Sequence, residues 1–144
     1  MAEFKYKAEI EKFISLGISL PELREPNDKV AYRFIFKDKP VMNHIPQYIK
    51  KPQRALSAIE KSTASTSGYA LSCFEQEFKA KERFAALEAN IPQIRKTIGD
   101  SLSSGTITNS DGLISIADTN STHFDLYEYC DCDLSNSFKY QYSL

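Results

Sequence analysis

The chain has 144 residues, of which 42% are hydrophobic and 26% are charged, and its formal net charge is −1. This length predicts one domain that buries roughly two thirds of its unfolded surface, so a core needs neither disulfides nor metal ions. The near-neutral charge argues against a globally basic nucleic-acid binder, and no apolar run reaches the ~18 residues of a membrane helix. Three cysteines and an N-terminus without an apolar signal core predict a cytoplasmic protein with free thiols.

The charges are unevenly distributed along the chain. Residues 1–72 carry 12 basic and 8 acidic side chains, a net of +4, whereas residues 73–144 carry 6 basic and 11 acidic side chains, a net of −5. Between Lys96 and Lys139 the sequence contains neither lysine nor arginine. A field of one sign steers the association of an oppositely charged molecule. The acidic half therefore predicts either a solvated edge or a surface that binds a basic protein.

Two helices joined by a glycine turn are predicted at the N-terminus. Residues 3–16 carry apolar side chains at helical spacing, and Gly17 suits the position just after a helix. A short second helical turn follows and is ended by Pro26. The span from Phe13 to Glu25 resembles the helix-turn-helix of MerR-type regulators, which implies nucleic-acid binding through the N-terminal helices as an alternative function. Its acidic residues offset its one arginine, so a basic recognition face is not evident and nucleic acid is not the expected partner.

A strand is predicted next, over Val30 to Phe36. Large apolar side chains occupy the even positions of this segment, which predicts that this side of the strand is its strongly apolar face. Residues 41–49 are compatible with either a strand or a helix, although Pro46 argues against a central strand.

A further helix is predicted to begin at Pro52, because proline is favoured in the first helical turn. Three cations lie near its start: Lys50, Lys51 and Arg54. Side chains of this kind at a helix N-terminus predict a small anion-binding patch. The alternative is an ordinary solvated helix face.

Residues 72–99 give the strongest helical signal in the sequence. Ser72 and Glu75 have the spacing of a capping box, and Pro92 is expected to kink or break the helix. The apolar side chains of its first half share one helical face: Leu71, Phe74, Phe78 and Ala85. Cys73 lies at the predicted helix start, where the helix dipole lowers a thiol pKa. A small enzyme with a Cys73-centred site, assisted by a histidine, is therefore a second alternative.

The periodicity changes from helical to alternating after residue 105. Residues 106–108 and 113–116 predict a hairpin, residues 122–132 a strand, and Phe138 to Leu144 an edge strand. A second copy of the chain can pair with such an edge, which makes a homo-oligomer a further expectation. The order of elements predicts one α+β domain over residues 1–144. We expect N-terminal helices and one strand, followed by a long central helix packed on a C-terminal antiparallel sheet.

Alternation in the strand over residues 122–132 separates an apolar face from a polar, aromatic one. The polar face contains His123, Asp125, Tyr127, Tyr129 and Asp131. Tyrosine offers large, stiff contact area with a polar tip, so these residues predict a partner-binding surface. The alternative is a half-covered sheet face with ordinary cross-strand pairs. His123 should point away from Cys130 and Cys132, so we expect no metal site, and no cofactor motif is present.

The predicted function is a non-enzymatic protein-binding module, of the inhibitor, immunity or adaptor kind. The sequence contains no glycine-rich phosphate loop, no nucleophile elbow and no His-Glu-x-x-His motif. The expected partner is another protein bound at the acidic and tyrosine-bearing face, which a basic surface would complement in charge. No association with a membrane is expected.

Overall fold

The computed structural model describes residues 2–144, which form five helices and a seven-stranded antiparallel sheet. The helices are α1 (Lys7–Ser15), α2 (Gln47–Lys50), α3 (Pro52–Glu60), α4 (Glu77–Asn90) and α5 (Ile94–Thr97). The strands are β1 (Leu23–Arg24), β2 (Lys29–Ile35), β3 (Leu71–Phe74), β4 (Ser101–Ile107), β5 (Gly112–Ser115), β6 (His123–Glu128) and β7 (Lys139–Ser143). The class is α+β, as predicted. The strands are interleaved with the helices along the chain, so the expectation of a purely C-terminal sheet is wrong.

The strands lie in the order β1-β5-β6-β3-β2-β4-β7. β2 pairs along its whole length with β4, from Lys29 opposite Ile107 to Ile35 opposite Ser101. The predicted hairpin between β4 and β5 is wrong, because these strands occupy the sixth and second positions of the sheet. Residues 108–111 alone join β4 to β5, and Ile107 and Ile114 pack in one buried cluster. The sheet therefore curls enough to bring these two strands close together.

β3 replaces the predicted first turns of the long helix. It pairs with β6, from Leu71 opposite Leu126 to Phe74 opposite His123. The backbone N–H and C=O groups of β3 therefore find hydrogen-bond partners in the sheet. The capping box is not formed, and α4 begins only after Gln76. The predicted apolar stripe is also wrong, since Phe78 is 58% exposed. The break before Pro92 is confirmed, because α4 ends at Asn90.

The N-terminal region contains one helix where two were predicted. α1 ends as expected before Gly17, whose φ of 87° lies in the left-handed region that glycine tolerates. The second helix is absent: Leu23 and Arg24 form β1, and Leu23 pairs with Ser115. The helix-turn-helix expectation is therefore wrong. Residues 41–49 form neither a strand nor one helix, but a 3-10 turn over Pro40–Met42 followed by α2.

One face of the sheet, which we call the inner face, is closed. It is formed by the odd positions of β2 and β3 and the even positions of β6: Ala31, Arg33, Leu71, Cys73, Phe124 and Leu126. The segment from Cys132 to Phe138 folds back over it and completes a buried cluster. The apolar positions of this face are therefore almost fully removed from water.

The opposite face, which we call the outer face, is covered by two separate groups of side chains. It consists of Tyr32, Phe34, Ser72, Phe74, His123, Asp125 and Tyr127. Helices α1 and α3 form one apolar cluster over Tyr127, and α4 forms another over Phe74. The part between the two clusters stays open. This explains why the predicted apolar side of β2 is the less buried one, with Val30 52% exposed.

The N-terminal segment is fastened to the end of β6. Lys5 donates its backbone N–H to the backbone oxygen of Glu128 at 2.8 Å, and its Nζ lies 2.7 Å from the Glu128 Oε2 atom. Glu128 is only 3% exposed, and its Oε1 atom has no hydrogen-bond partner among the described residues. No helix within residues 2–144 has the length and apolar character needed to cross a membrane.

Candidate functional site

The sheet forks between β2 and β3. These neighbouring strands share a single register pair, Tyr32 opposite Phe74, and diverge beyond it. Arg33 bridges the opening: its Nη1 donates to the backbone oxygen of Ser72, and its Nε donates to Nδ1 of His44 at 3.1 Å. Because Nδ1 of His44 accepts this bond, its ring is neutral there. Burial, and then the charge of Arg33, lower the pKa of His44 to about 3.

A groove of about 870 Å³ opens at this fork and runs along the outer face, and Arg33, an inner-face residue, lines it from within the fork. Its floor contains Phe34, Ser72, His123 and Asp125, and its walls come from the two groups of helices. A second cavity of about 610 Å³ shares His123 and Asp125 with the first and continues toward Leu20. Together they form a trough that crosses the sheet between the two apolar clusters of the outer face.

One wall of the groove carries positive charge. Lys50 and Arg54 line it, and Arg33 lies in the fork at its base. Among residues 2–144, no carboxylate lies within ion-pair distance of any of these three cations. Burial lowers the pKa of Lys50, and the charges of Arg33, Lys51 and Arg54 lower it further. The three cations therefore form a compact positive group at this end of the groove.

The predicted anion-binding patch is divided by the structure. Lys50 and Arg54 line the groove, whereas Lys51 lies outside its lining. The Nζ atom of Lys50 lies 5.3 Å from the centre of the Phe36 ring, and Nη1 of Arg54 donates to Oε1 of Gln47 at 2.8 Å. These contacts hold both cations on the wall formed by α2 and α3.

Gly68 shapes the same wall by admitting the ring of Tyr48. A Cβ atom at Gly68 would lie 2.1 Å from Cδ2 of Tyr48, which is far inside van der Waals contact. The ring therefore packs directly on the glycine backbone. Its other neighbours are Phe13 and Tyr69, at centroid distances of 5.9 and 5.3 Å.

The floor of the groove holds a polar cluster around His123. Its Nε2 lies 2.5 Å from Oγ of Ser72 and 3.6 Å from Oδ1 of Asp125, and the imidazole and the Phe74 ring form a T-shaped pair with centroids 5.4 Å apart. A nucleophile–base–acid triad needs the acid at the other ring nitrogen. Here both partners approach Nε2, so the cluster does not have that geometry. It offers a ligand one hydroxyl, one imidazole and one carboxylate, and burial raises the pKa of Asp125.

The five residues of the predicted partner-binding face are not kept together. His123 and Asp125 lie in the groove. Tyr127 is 1% exposed beneath α1, its hydroxyl lies 3.0 Å from Oγ1 of Thr66, and burial raises its pKa to about 12. The expectation that Tyr127 presents its side chain to a partner is therefore wrong. Tyr129 and Asp131 follow the end of β6, where Tyr129 stacks on Phe4 at 5.8 Å.

Cys73 is not placed for chemistry. It lies within β3 on the inner face, is fully buried and sits before, not within, the first turn of α4. Burial raises the pKa of its thiol to about 11, the opposite of what a thiolate nucleophile needs. The argument for a Cys73-centred site fails, because it depended on a helix start at residue 72.

Within residues 2–144, no three histidine, cysteine, aspartate or glutamate side chains converge as a metal site. Cys130 is exposed and Cys132 is buried. β7 lies at the edge of the sheet, where the predicted pairing with a second copy would occur. That association stays a prediction.

Sequence reasoning missed Arg33, His44 and Tyr48 as parts of the site. An arginine at the centre of an otherwise apolar strand was the available signal for Arg33. Nothing in the sequence indicates that β2 and β3 diverge or that residues 44 and 48 pack beside the opening. Comparison with models of known families, with curated proteins and with solved structures gave no match.

Proposed function

We propose that this chain is a non-enzymatic binding module whose groove accepts an anionic ligand at the fork between β2 and β3. One observation carries the proposal: Arg33, Lys50 and Arg54 border the same groove, and none of them is in ion-pair contact with a carboxylate among residues 2–144. Arg33 is only 7% exposed, so its charge is largely removed from water.

Grouping like charges in a partly buried site costs free energy, which a bound anion recovers. The neighbouring cations lower the pKa of Lys50, so each of them destabilises the charged form of Lys50. An anion between Lys50 and Arg54 reverses this effect, because opposite charges attract more strongly where water is partly excluded. Both cations sit on short helices that the apolar cluster around Phe13 holds in place, so the site is formed before the ligand arrives.

The class of protein is the one predicted from the sequence, a binding module, but the groove takes the place of the acidic face as the binding site. The acidic face was predicted to bind a basic protein through five residues, of which Tyr127 is buried. A basic partner for Tyr129 and Asp131 stays a prediction. The groove instead supports a ligand of the opposite charge, held by two of the three cations in the predicted patch.

The test is titration of the full chain with inorganic phosphate at low ionic strength, followed by calorimetry and amide NMR shifts. We expect saturable shifts in α2 and in residues around Arg33. The Lys50→Ala/Arg54→Ala double variant should bind about a hundredfold more weakly or worse, since each of the two charged hydrogen bonds contributes about 1.5–3 kcal/mol.

Lys51→Ala is the matched control, because Lys51 is the chain neighbour of Lys50 but lies outside the groove lining. It should retain near wild-type affinity. Equal weakening by Lys51→Ala and by the double variant would show only diffuse attraction and contradict the proposal. So would the absence of phosphate binding by the wild-type protein.

A further inference from the structure

We infer that the ligand is a small organic anion with a planar apolar body, of the aryl phosphate class; this rests on the anion-binding function proposed above. The anionic group meets Lys50 and Arg54, and the apolar body lies between Phe34 on the floor and Leu87 on the opposite wall.

The two walls of the groove differ in chemistry. Lys50 and Arg54 line the side built by α2 and α3. Leu87 of α4 and Ile98, just beyond α5, contribute apolar surface from the other group of helices, and both are half-buried. Phe34 is half-buried on the floor. Arg83 of α4 also lines the groove, so this second wall is mainly apolar but carries one cation. A ligand that fills the groove therefore meets two cations on one side and mostly apolar surface on the other.

An inorganic anion satisfies only the cationic wall. It leaves the apolar surfaces of Phe34, Leu87 and Ile98 in water, whereas an apolar body attached to the anion covers them. Each Å² of apolar surface removed from water contributes about 25 cal/mol. A groove of about 870 Å³ lies within the range of roughly 300–1,000 Å³ that is typical of small-molecule sites.

The opposite end of the trough argues for a compact ligand. Asp118 and Asp125 line both cavities, beyond the cationic wall. An acidic peptide that ran along the trough would bring its carboxylates toward these residues and be repelled by them. A compact anion confined to the fork avoids this repulsion. The charge distribution of the trough therefore favours a small molecule over an acidic polypeptide.

The experiment compares three probes on the full chain: inorganic phosphate, 1-naphthyl phosphate and a short polyglutamate peptide. We expect 1-naphthyl phosphate to bind about tenfold more tightly than phosphate or better, in line with the apolar area it buries. The Leu87→Asn variant should reduce this advantage severalfold and leave phosphate binding unchanged. Leu56→Asn is the matched control, since Leu56 is an exposed leucine outside the groove lining.

The outcomes separate the two proposals. Equal affinity for phosphate and 1-naphthyl phosphate would overturn the aryl anion inference and leave the anion-binding groove intact. Tighter binding of polyglutamate than of either small anion would also overturn the inference, in favour of an acidic polypeptide. Failure of the wild-type protein to bind inorganic phosphate would overturn the proposed function itself. Thermal unfolding of both asparagine variants checks that each is folded.

Discussion

The two faces of the sheet are built from the same strands but are used differently. The inner face is sealed by the segment from Cys132 to Phe138 and forms one continuous buried cluster. The outer face is covered by two clusters that do not meet, so a groove remains between them. The apolar positions of the inner face are buried, whereas part of the outer face stays open. The polar and cationic side chains of the groove are therefore accessible where the packing of the outer face is interrupted.

Truncation of an inner-face side chain should produce the largest effect. Phe124 is 1% exposed, and Phe124→Ala should lower the free energy of unfolding by about 3–5 kcal/mol, because it removes buried surface and leaves a cavity. Urea denaturation measures this change. Phe78→Ala, at an exposed position of α4, is the control and should cost under about 0.5 kcal/mol. Similar losses for both variants would contradict the distinction between sealed and open surfaces.

The buried carboxylate at the rim of the inner face should give the next largest effect. Lys5→Met leaves Glu128 buried without its counter-ion and should lower the free energy of unfolding by about 2–3 kcal/mol. This is below the roughly 3–5 kcal/mol of a fully buried pair, because the Lys5 side chain is 28% exposed. The Lys5→Met/Glu128→Gln double variant should regain part of this loss, because the uncompensated charge is gone. A double-mutant cycle from urea denaturation measures the coupling. The cycle also needs Glu128→Gln alone. If the losses of unfolding free energy in the two single variants sum to the loss in the double variant, the ion pair contributes nothing.

His44 at the fork should make stability depend on pH. Its folded pKa of about 3 lies below the unfolded value, so the unfolded chain binds the proton first as pH falls. The neutral His44 therefore contributes fully to the free energy of unfolding above about pH 6.5. This contribution is lost between about pH 6.5 and 3, at up to about 1.4 kcal/mol per pH unit. Asp125 acts in the opposite direction, since burial raises its pKa.

The comparison that isolates His44 is the wild type against His44→Gln. Urea denaturation at pH 7, 6 and 5 should show that the stability advantage of the wild type shrinks toward acid. Glutamine can still accept the bond from Arg33, so the variant keeps one contact of the fork. A constant difference between the two proteins across this range would contradict a neutral, buried His44.

The smallest effect is expected on the open face. Leu87→Asn should change the free energy of unfolding by under about 0.5 kcal/mol, because Leu87 is only half-buried at the groove wall. Thermal and urea unfolding of this variant measure the change. A loss comparable to that of Phe124→Ala would mean that the groove wall belongs to the core, and would remove the contrast between the faces.

Local periodicity was sufficient for elements with one strong pattern. Val30 to Phe36 was expected to be a strand, and β2 covers Lys29–Ile35. Local periodicity gave the wrong element at β3, because its four residues, Leu71–Phe74, fit a helical and an alternating pattern equally well. The partner that decides between them, β6, lies some fifty residues further along the chain.

The candidate site was predictable only in its parts. The sequence predicts an anion-binding patch at Lys50, Lys51 and Arg54 and, as a separate surface, a partner-binding face that includes His123 and Asp125. Their union in one groove depends on where the two helix clusters leave the outer face uncovered. The role of Arg33 depends on the single register pair between β2 and β3. Neither the uncovered part of the outer face nor the single register pair between β2 and β3 can be predicted from a short stretch of sequence.

The order of strands also has a consequence for how the protein folds as it is synthesised. A chain that has grown to residue 100 contains all five helices and β1 to β3, yet it can form only the one sheet pair between Tyr32 and Phe74. β2 and β3 receive their full partners from β4 and β6, in the last third of the chain. Such distant pairings slow folding and leave strand edges exposed while it proceeds. We therefore expect nascent chains of this protein to depend on protection from aggregation until β6 has emerged.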